Sequence, residues 1–261
     1  AGRLSLEGKA LPWVAVRRER ASYERDDAVG KSLGFVRFLT QALLALEKRD
    51  GPRALDAFDA VGFLIAGDHG KHGTVLWPHS AAIPWRGRLL QYYLMSEKQG
   101  GKFAPIGVHC HELGHVLGIL DKYGEGPHAG LGTWCLMAVG HRADRQYGDR
   151  RPSHMCAQCN ATLGWLAPAT VDPRVPQTVR IRGIEGADGE ALKVLIDPRG
   201  GEYFLLENRR KKGFDAGIRY EETLPQDMIA VSLAPPERML LVAAPSFLRG
   251  RPTLRHPKDL A

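Results

Sequence analysis

The tightest constraint on this chain is a five-residue run, His111-Glu112-Leu113-Gly114-His115. On an α-helix, residues four apart lie one turn apart on the same face, so the two imidazoles can converge on one ion. Glu112 then points to the side, where it can hold a metal-bound water. Zinc takes such nitrogen ligands tetrahedrally and lowers the pKa of that water to about 7. The carboxylate accepts the water's proton as the oxygen attacks a carbonyl. Gly118 follows His115 by three residues and can take the left-handed conformation that ends a helix. The chain can then turn back and bring Asp121 in as a third ligand, with His128 and His141 next in line for that place. Three protein ligands leave one position open, as in a catalytic site and unlike a closed structural one. An ordinary amphipathic helix with two hydrogen-bonded histidines is the bland alternative, and the whole pattern disfavours it.

Around this motif the 261-residue chain reads as α+β, and its length gives room for a sizeable core. Val29, Leu33, Val36, Leu39, Leu43 and Leu46 recur at helical spacing between Asp26 and Lys48, and Asp50-Gly51-Pro52 ends that helix. Leu11 to Val16 could be a strand, Ala60 to Gly67 reads as a buried strand, and Leu89 to Met95 as a further one. Pro105 to about Leu117 is the motif-bearing helix, with proline near its first turn. Glycine-dense sequence from Gly124 to Gly148 reads as loop. After Pro168 the pattern changes to short apolar runs (Val175 to Ile184, Ala191 to Ile196, Tyr203 to Leu206, Ile229 to Leu233) divided by Gly, Pro and Asp. Two domains are therefore expected, 1–168 carrying the chemistry and a small β-rich unit over 169–261. No apolar run approaches the roughly 18 residues a membrane helix needs.

The arrangement resembles the metzincin branch of zinc peptidases, with Asp121 where most members carry a third histidine. The form ending in aspartate is similar to the immune-inhibitor-A family. Leu76-Trp77-Pro78-His79-Ser80, Asp121-Lys122-Tyr123, Gly132-Thr133-Trp134-Cys135-Leu136-Met137-Ala138 and Pro152-Ser153-His154 through Leu163-Gly164-Trp165-Leu166 resemble its other motifs. Tyr203 to Arg209 and Gly213-Phe214-Asp215 resemble the start of its β-rich tail. The resemblance implies a metzincin-like catalytic domain, a twisted mixed sheet plus active-site helix, followed by the β-rich domain. It implies a secreted, extracellular zinc endopeptidase with one catalytic Zn2+ on His111, His115 and Asp121, Glu112 as general base, and Met137 as a packing floor beneath the metal. A structural Ca2+ is compatible with it. Expected partners are a protein or peptide substrate, with no nucleic acid and no membrane, and the chain is expected to be a monomer. A substrate strand would add to an edge strand near Tyr92–Met95, in a cleft facing the loop-rich stretch 122–168. Val139 departs from the pattern, standing where related enzymes place an oxyanion-binding tyrosine; Tyr147, His141 or Tyr123 are substitutes.

Other features are weaker. Cys110, Cys135, Cys156 and Cys159 cluster in the middle of the chain. Cys156-Ala157-Gln158-Cys159 would need a second pair to make a zinc ribbon, and Cys110 and Cys135 do not form one by spacing. Disulfides fit better, in any of three pairings, with a free buried thiol as the alternative. His69, His72 and His79 read as ordinary loop histidines. Lys and Arg exceed Asp and Glu by 36 to 29, a net charge of +7, but the basic residues are scattered. Three functions are thus expected in descending order: zinc endopeptidase, an inactive binding module of the same fold, and a basic nucleic-acid-binding protein.

Overall fold

A computed structural model of the chain describes residues 4, 6–24, 30–69, 76–124, 130–142, 151–186, 188–197 and 199–209. The chain divides into two compact units, 1–122 with 132–165, and 123–131 with 166–261.

The first unit is built on a mixed sheet of β1 (Ala60–Asp68), β2 (His79–Trp85), β3 (Arg88–Gln99) and the two-residue β4 (Lys102–Phe103). The order is β1-β3-β2, with β1 parallel and β2 antiparallel to β3, and β4 pairing the end of β3. β2 and β3 form a hairpin closed by Trp85 and Arg88 around the two-residue turn Arg86-Gly87. Both turn residues have positive φ, 48° and 80°, as the twist of a two-residue hairpin requires. Arg86 is the one non-glycine among the described residues to do so. Its guanidinium is held by the buried carboxylate of Glu47 at 2.7 Å, and Glu47 also accepts the Trp85 indole N–H at 3.0 Å. That guanidinium holds the Glu47 carboxyl below its ordinary value, against the opposing effect of burial. The β3–β4 turn uses Gly100 and Gly101, both at positive φ, and the Asp68 carboxylate accepts their backbone N–H groups at 2.9 and 2.6 Å.

Two helices cover this sheet. α1 (Arg20–Glu24) leads into α2 (Gly30–Asp50), whose last turn carries Lys48 and Arg49 and which ends at Gly51 with φ 101°. The α2 residues Phe38, Leu39, Leu43 and Leu46 bury against Ile83, Leu90, Tyr92 and Leu94. Leu90, Tyr92 and Leu94 are even-numbered residues of β3, which share one face because successive side chains on a strand alternate, and Ile83 pairs with Leu90 from β2. The odd-numbered Tyr93 faces the other way, onto His109 of α3 (Ile106–Val116). Gly62 of β1 lies opposite Tyr93, and a Cβ there would come within 2.8 Å of the tyrosine ring.

The second unit contains a three-stranded sheet of β5 (Ala169–Val171), β6 (Ala191–Leu195) and β7 (Tyr203–Glu207), with β5 parallel and β7 antiparallel to β6. Ile184, Ala191 and Leu192 are buried.

Several expectations change here. Tyr92–Met95 is not at an edge, because β3 is paired on both sides. Leu11 to Val16 forms no strand; Leu11, Val14 and Val16 are tethered by packing against the α2 cluster. β1 is not buried on both faces, since only Ile65 is buried and Leu64 is 46% exposed. Within Val175 to Ile184 pairing is confined to a single bridge from Gly183 to Asn208. Ile229 to Leu233 and Gly213-Phe214-Asp215 lie outside the described residues.

Candidate metal centre

α3 starts at Pro105, whose φ of −71° and ψ of 147° make it the extended cap residue. Gly107, Val108, His111, Glu112 and Gly114 are its buried residues, which puts the first motif histidine and the glutamate on the inner face. The helix ends in a Schellman arrangement. Gly118 has φ 92°, its N–H reaches the His115 carbonyl at 2.8 Å, and the Ile119 N–H reaches the Gly114 carbonyl at 3.1 Å. This turn reverses the chain and carries Asp121 back over the helix.

His111, His115 and Asp121 converge. The two Nε2 atoms are 3.2 Å apart, and Asp121 Oδ1 lies 3.2 Å from one and 3.3 Å from the other. Tetrahedral zinc with bonds of about 2.0–2.1 Å has ligand-to-ligand edges of about 3.3 Å, so the triangle has the dimensions of one face of a zinc tetrahedron. The tautomers agree with that use. His111 Nδ1 donates to the Leu136 carbonyl at 2.8 Å, and His115 Nδ1 to the Ile119 carbonyl at 2.7 Å. Each Nε2 is then left as an acceptor facing a carboxylate oxygen. Three acceptors at such spacing repel one another, and a cation relieves the repulsion. Burial lowers the pKa of His111, which keeps this ring neutral and able to ligate.

Glu112 is 6% exposed, and burial, then the negative charge of Asp121, push its carboxyl up to about 7. It can therefore exchange a proton near neutral pH. Met137 is fully buried below the helix, and a Cβ at Gly114 would come within 2.3 Å of its sulfur. Its carbonyl accepts the Lys122 N–H at 2.7 Å, which anchors the chain beside Asp121.

The cysteines correct the disulfide expectation: all four are free thiols. Cys110 is half-buried on α3, outside the group that Cys135, Cys156 and Cys159 form. Burial pushes the Cys110 thiol up, disfavouring its thiolate. His79 Nδ1 donates to the Trp77 carbonyl at 2.7 Å and its ring packs edge-on to Phe35 and Tyr92, while His69 packs on Trp77. His141 is buried with Nδ1 2.8 Å from the Ala138 carbonyl and its ring 4.9 Å from that of His111. Tyr123 is 45% exposed. His72, His128 and Tyr147 lie outside the described residues. Sequence reasoning missed the carbonyls of Leu136 and Ile119, which carry no side-chain signature; it allowed Cys135 to meet Cys156 or Cys159, but as a disulfide, where the thiols are free.

No protein-family model matches the chain, and no solved structure is significantly similar to it. Two curated proteins match over short stretches. One, from Pseudomonas aeruginosa, is named as a transcriptional regulator and is 51% identical over 69 residues, 26% of this chain and 21% of the relative. The other is the uncharacterized HTH-type transcriptional regulator YcaN of Escherichia coli, 38% identical over 50 residues, 19% of this chain and 17% of the relative. The chain thus spans about a fifth of the length of these relatives. These findings overturn the peptidase reading. The immune-inhibitor-A and metzincin assignment and the endopeptidase activity with its inactive-module alternative give way to relatives named as regulators. The expectation of a peptide substrate and no nucleic-acid partner is corrected on the same ground.

Proposed function

We propose that this chain is a zinc-binding protein that acts in transcriptional control, with DNA as a partner and His111, His115 and Asp121 as the metal ligands. The observation that carries the metal half of this reading is the triangle of three acceptors, with edges of 3.2, 3.2 and 3.3 Å. Both imidazoles are locked by backbone carbonyls into the tautomer that ligates through Nε2. The regulatory half is supported by the names of the partial relatives and is compatible with a net charge of +7. A zinc ion there supplies positive charge and a fixed geometry. The residues around it would orient the rings and hold the 118–122 turn against Met137. Metal occupancy would then set the order of this turn.

The test is a pair of measurements on the full chain. Zinc content is compared between the wild type and the His111→Ala/Asp121→Ala variant, which is expected to lose one equivalent. Retention on duplex DNA is measured over a salt series, with and without zinc, and is expected to weaken as salt rises. Equal zinc content in the two proteins removes the metal assignment, and absence of DNA binding at low salt removes the regulatory one.

A further inference from the structure

Cys135, Cys156 and Cys159 lie in one buried knot, 0%, 6% and 0% exposed. Cys156 and Cys159 flank the first turn of α4 (Ala157–Thr162), so their two-residue spacing points both thiols to one side. Cys135 follows the short 3-10 turn Gly132–Trp134 and meets them from the other side of the loop region. The Sγ separations are 3.5 Å for Cys156 to Cys159 and 3.8 Å for Cys135 to Cys159.

Two chemistries compete for such a knot. A disulfide needs sulfurs at about 2.05 Å and uses an even number, which leaves one thiol over. Tetrahedral zinc with Zn–S bonds of about 2.3 Å has sulfur-to-sulfur edges of about 3.8 Å, which matches the observed spacing. A backbone donor is already aimed at one of the sulfurs. The Cys156 N–H reaches Cys135 Sγ at 3.4 Å.

We propose that Cys135, Cys156 and Cys159 form a structural metal site that binds a thiophilic divalent cation, zinc by the chemistry of its donors. Binding forms three metal–sulfur bonds and releases the thiol protons to solvent, with the fourth corner taken by a water-sized ligand. The inference is independent of the function proposed above, because the two ligand sets share no residue. It also has a mechanical role. Leu136, next to Cys135, supplies the carbonyl that orients His111, and its N–H is fixed by the His154 carbonyl at 3.1 Å. A cation on the three sulfurs would clamp this peptide from below.

The test uses the full chain, purified under reducing conditions and loaded with zinc alone or cobalt alone. Two zinc equivalents are expected in the wild type and one in His111→Ala/Asp121→Ala. Both proteins are expected to show a thiolate-to-cobalt charge-transfer band and sulfur scatterers in zinc X-ray absorption. Cys159→Ser should lose the band and one equivalent while keeping the other. A folded wild type whose cobalt spectrum lacks the thiolate band, or whose zinc has only nitrogen and oxygen neighbours, overturns the proposal. So does a Cys156–Cys159 disulfide that persists in zinc-loaded protein. If Cys159→Ser does not fold, the spectra of the wild type and the histidine-site variant still decide.

Discussion

Replacing Gly114 with alanine sets two opposed effects against each other at the centre of α3. Alanine in a helix interior is favoured over glycine by about 1 kcal/mol. Against this, the new Cβ would sit 2.3 Å from Met137 Sδ, 3.0 Å from Met137 Cε and 3.1 Å from Met155 Cε. Carbon contacts are comfortable at about 3.5–4.0 Å, so the sulfur must retreat by more than about 1 Å. Met137 is fully buried and its backbone is tied to Lys122, so little retreat is available. Overpacking of this kind costs about 1–3 kcal/mol, which exceeds the helical gain in most of its range. The net loss should be up to about 2 kcal/mol, or up to roughly 8 °C in Tm for a chain of this size. The decisive assay is a thermal or urea double-mutant cycle with Met137→Ala. Once the methionine is truncated only the 3.1 Å contact with the flexible end of Met155 remains, and Gly114→Ala should become stabilising by up to about 1 kcal/mol. The same sign and size in both backgrounds would refute the argument that the sulfur fills the glycine's space.

Other outcomes are expected on the same reasoning. In Gly140→Ala the new Cβ would lie 2.3 Å from the Cys135 carbonyl oxygen, a backbone atom that cannot swing aside, so circular dichroism melts should show a loss of about 2 kcal/mol or more. Asp121→Ala removes one corner of the histidine triangle, and a competitive chelator titration should show zinc at that site weakened by more than about 100-fold, beyond the usual cost of losing only an outer-shell partner. Leu94→Ala empties a fully buried position on the central strand and should cost about 2–5 kcal/mol in denaturant unfolding. Because the Glu47 carboxyl is held below its ordinary value in the folded state, its contribution is fully present above about pH 4.3 and fades as pH falls toward the folded pKa. Glu47→Gln should therefore flatten the dependence of Tm on pH in the acid range, and an unchanged slope would dissociate that carboxyl from acid stability.

What the sequence revealed follows the range of the forces involved. The α3 helix and its Gly118 ending were legible because helical period and a glycine three residues past His115 are local signals. α2 was legible for the same reason, down to Gly51 at its end. The place of β3 was not: an alternating run such as Leu90, Tyr92 and Leu94 looks alike on a central or an edge strand, and only pairing with both β1 and β2 separates the two. The sulfur knot was legible only as one of three possible pairings, since Cys135 stands 21 residues before Cys156 and only the fold brings all three thiols together. The functional reading failed for another reason. Two histidines and an acid at the right spacing describe what an ion can be held by, and say nothing about what the holder does.

One consequence follows from the hairpin. With Trp85 and Arg88 as the closing pair, the next pair, Pro84 with Leu89, is of the wide kind, so the amide of residue 84 faces away from β3. At that position proline deletes a donor that a visiting strand would have grasped. The outer rim of β2 is thereby blunted against recruitment of a stray chain. β1 carries no proline along Ala60–Asp68, and its rim is where accidental stacking of partly opened molecules should begin.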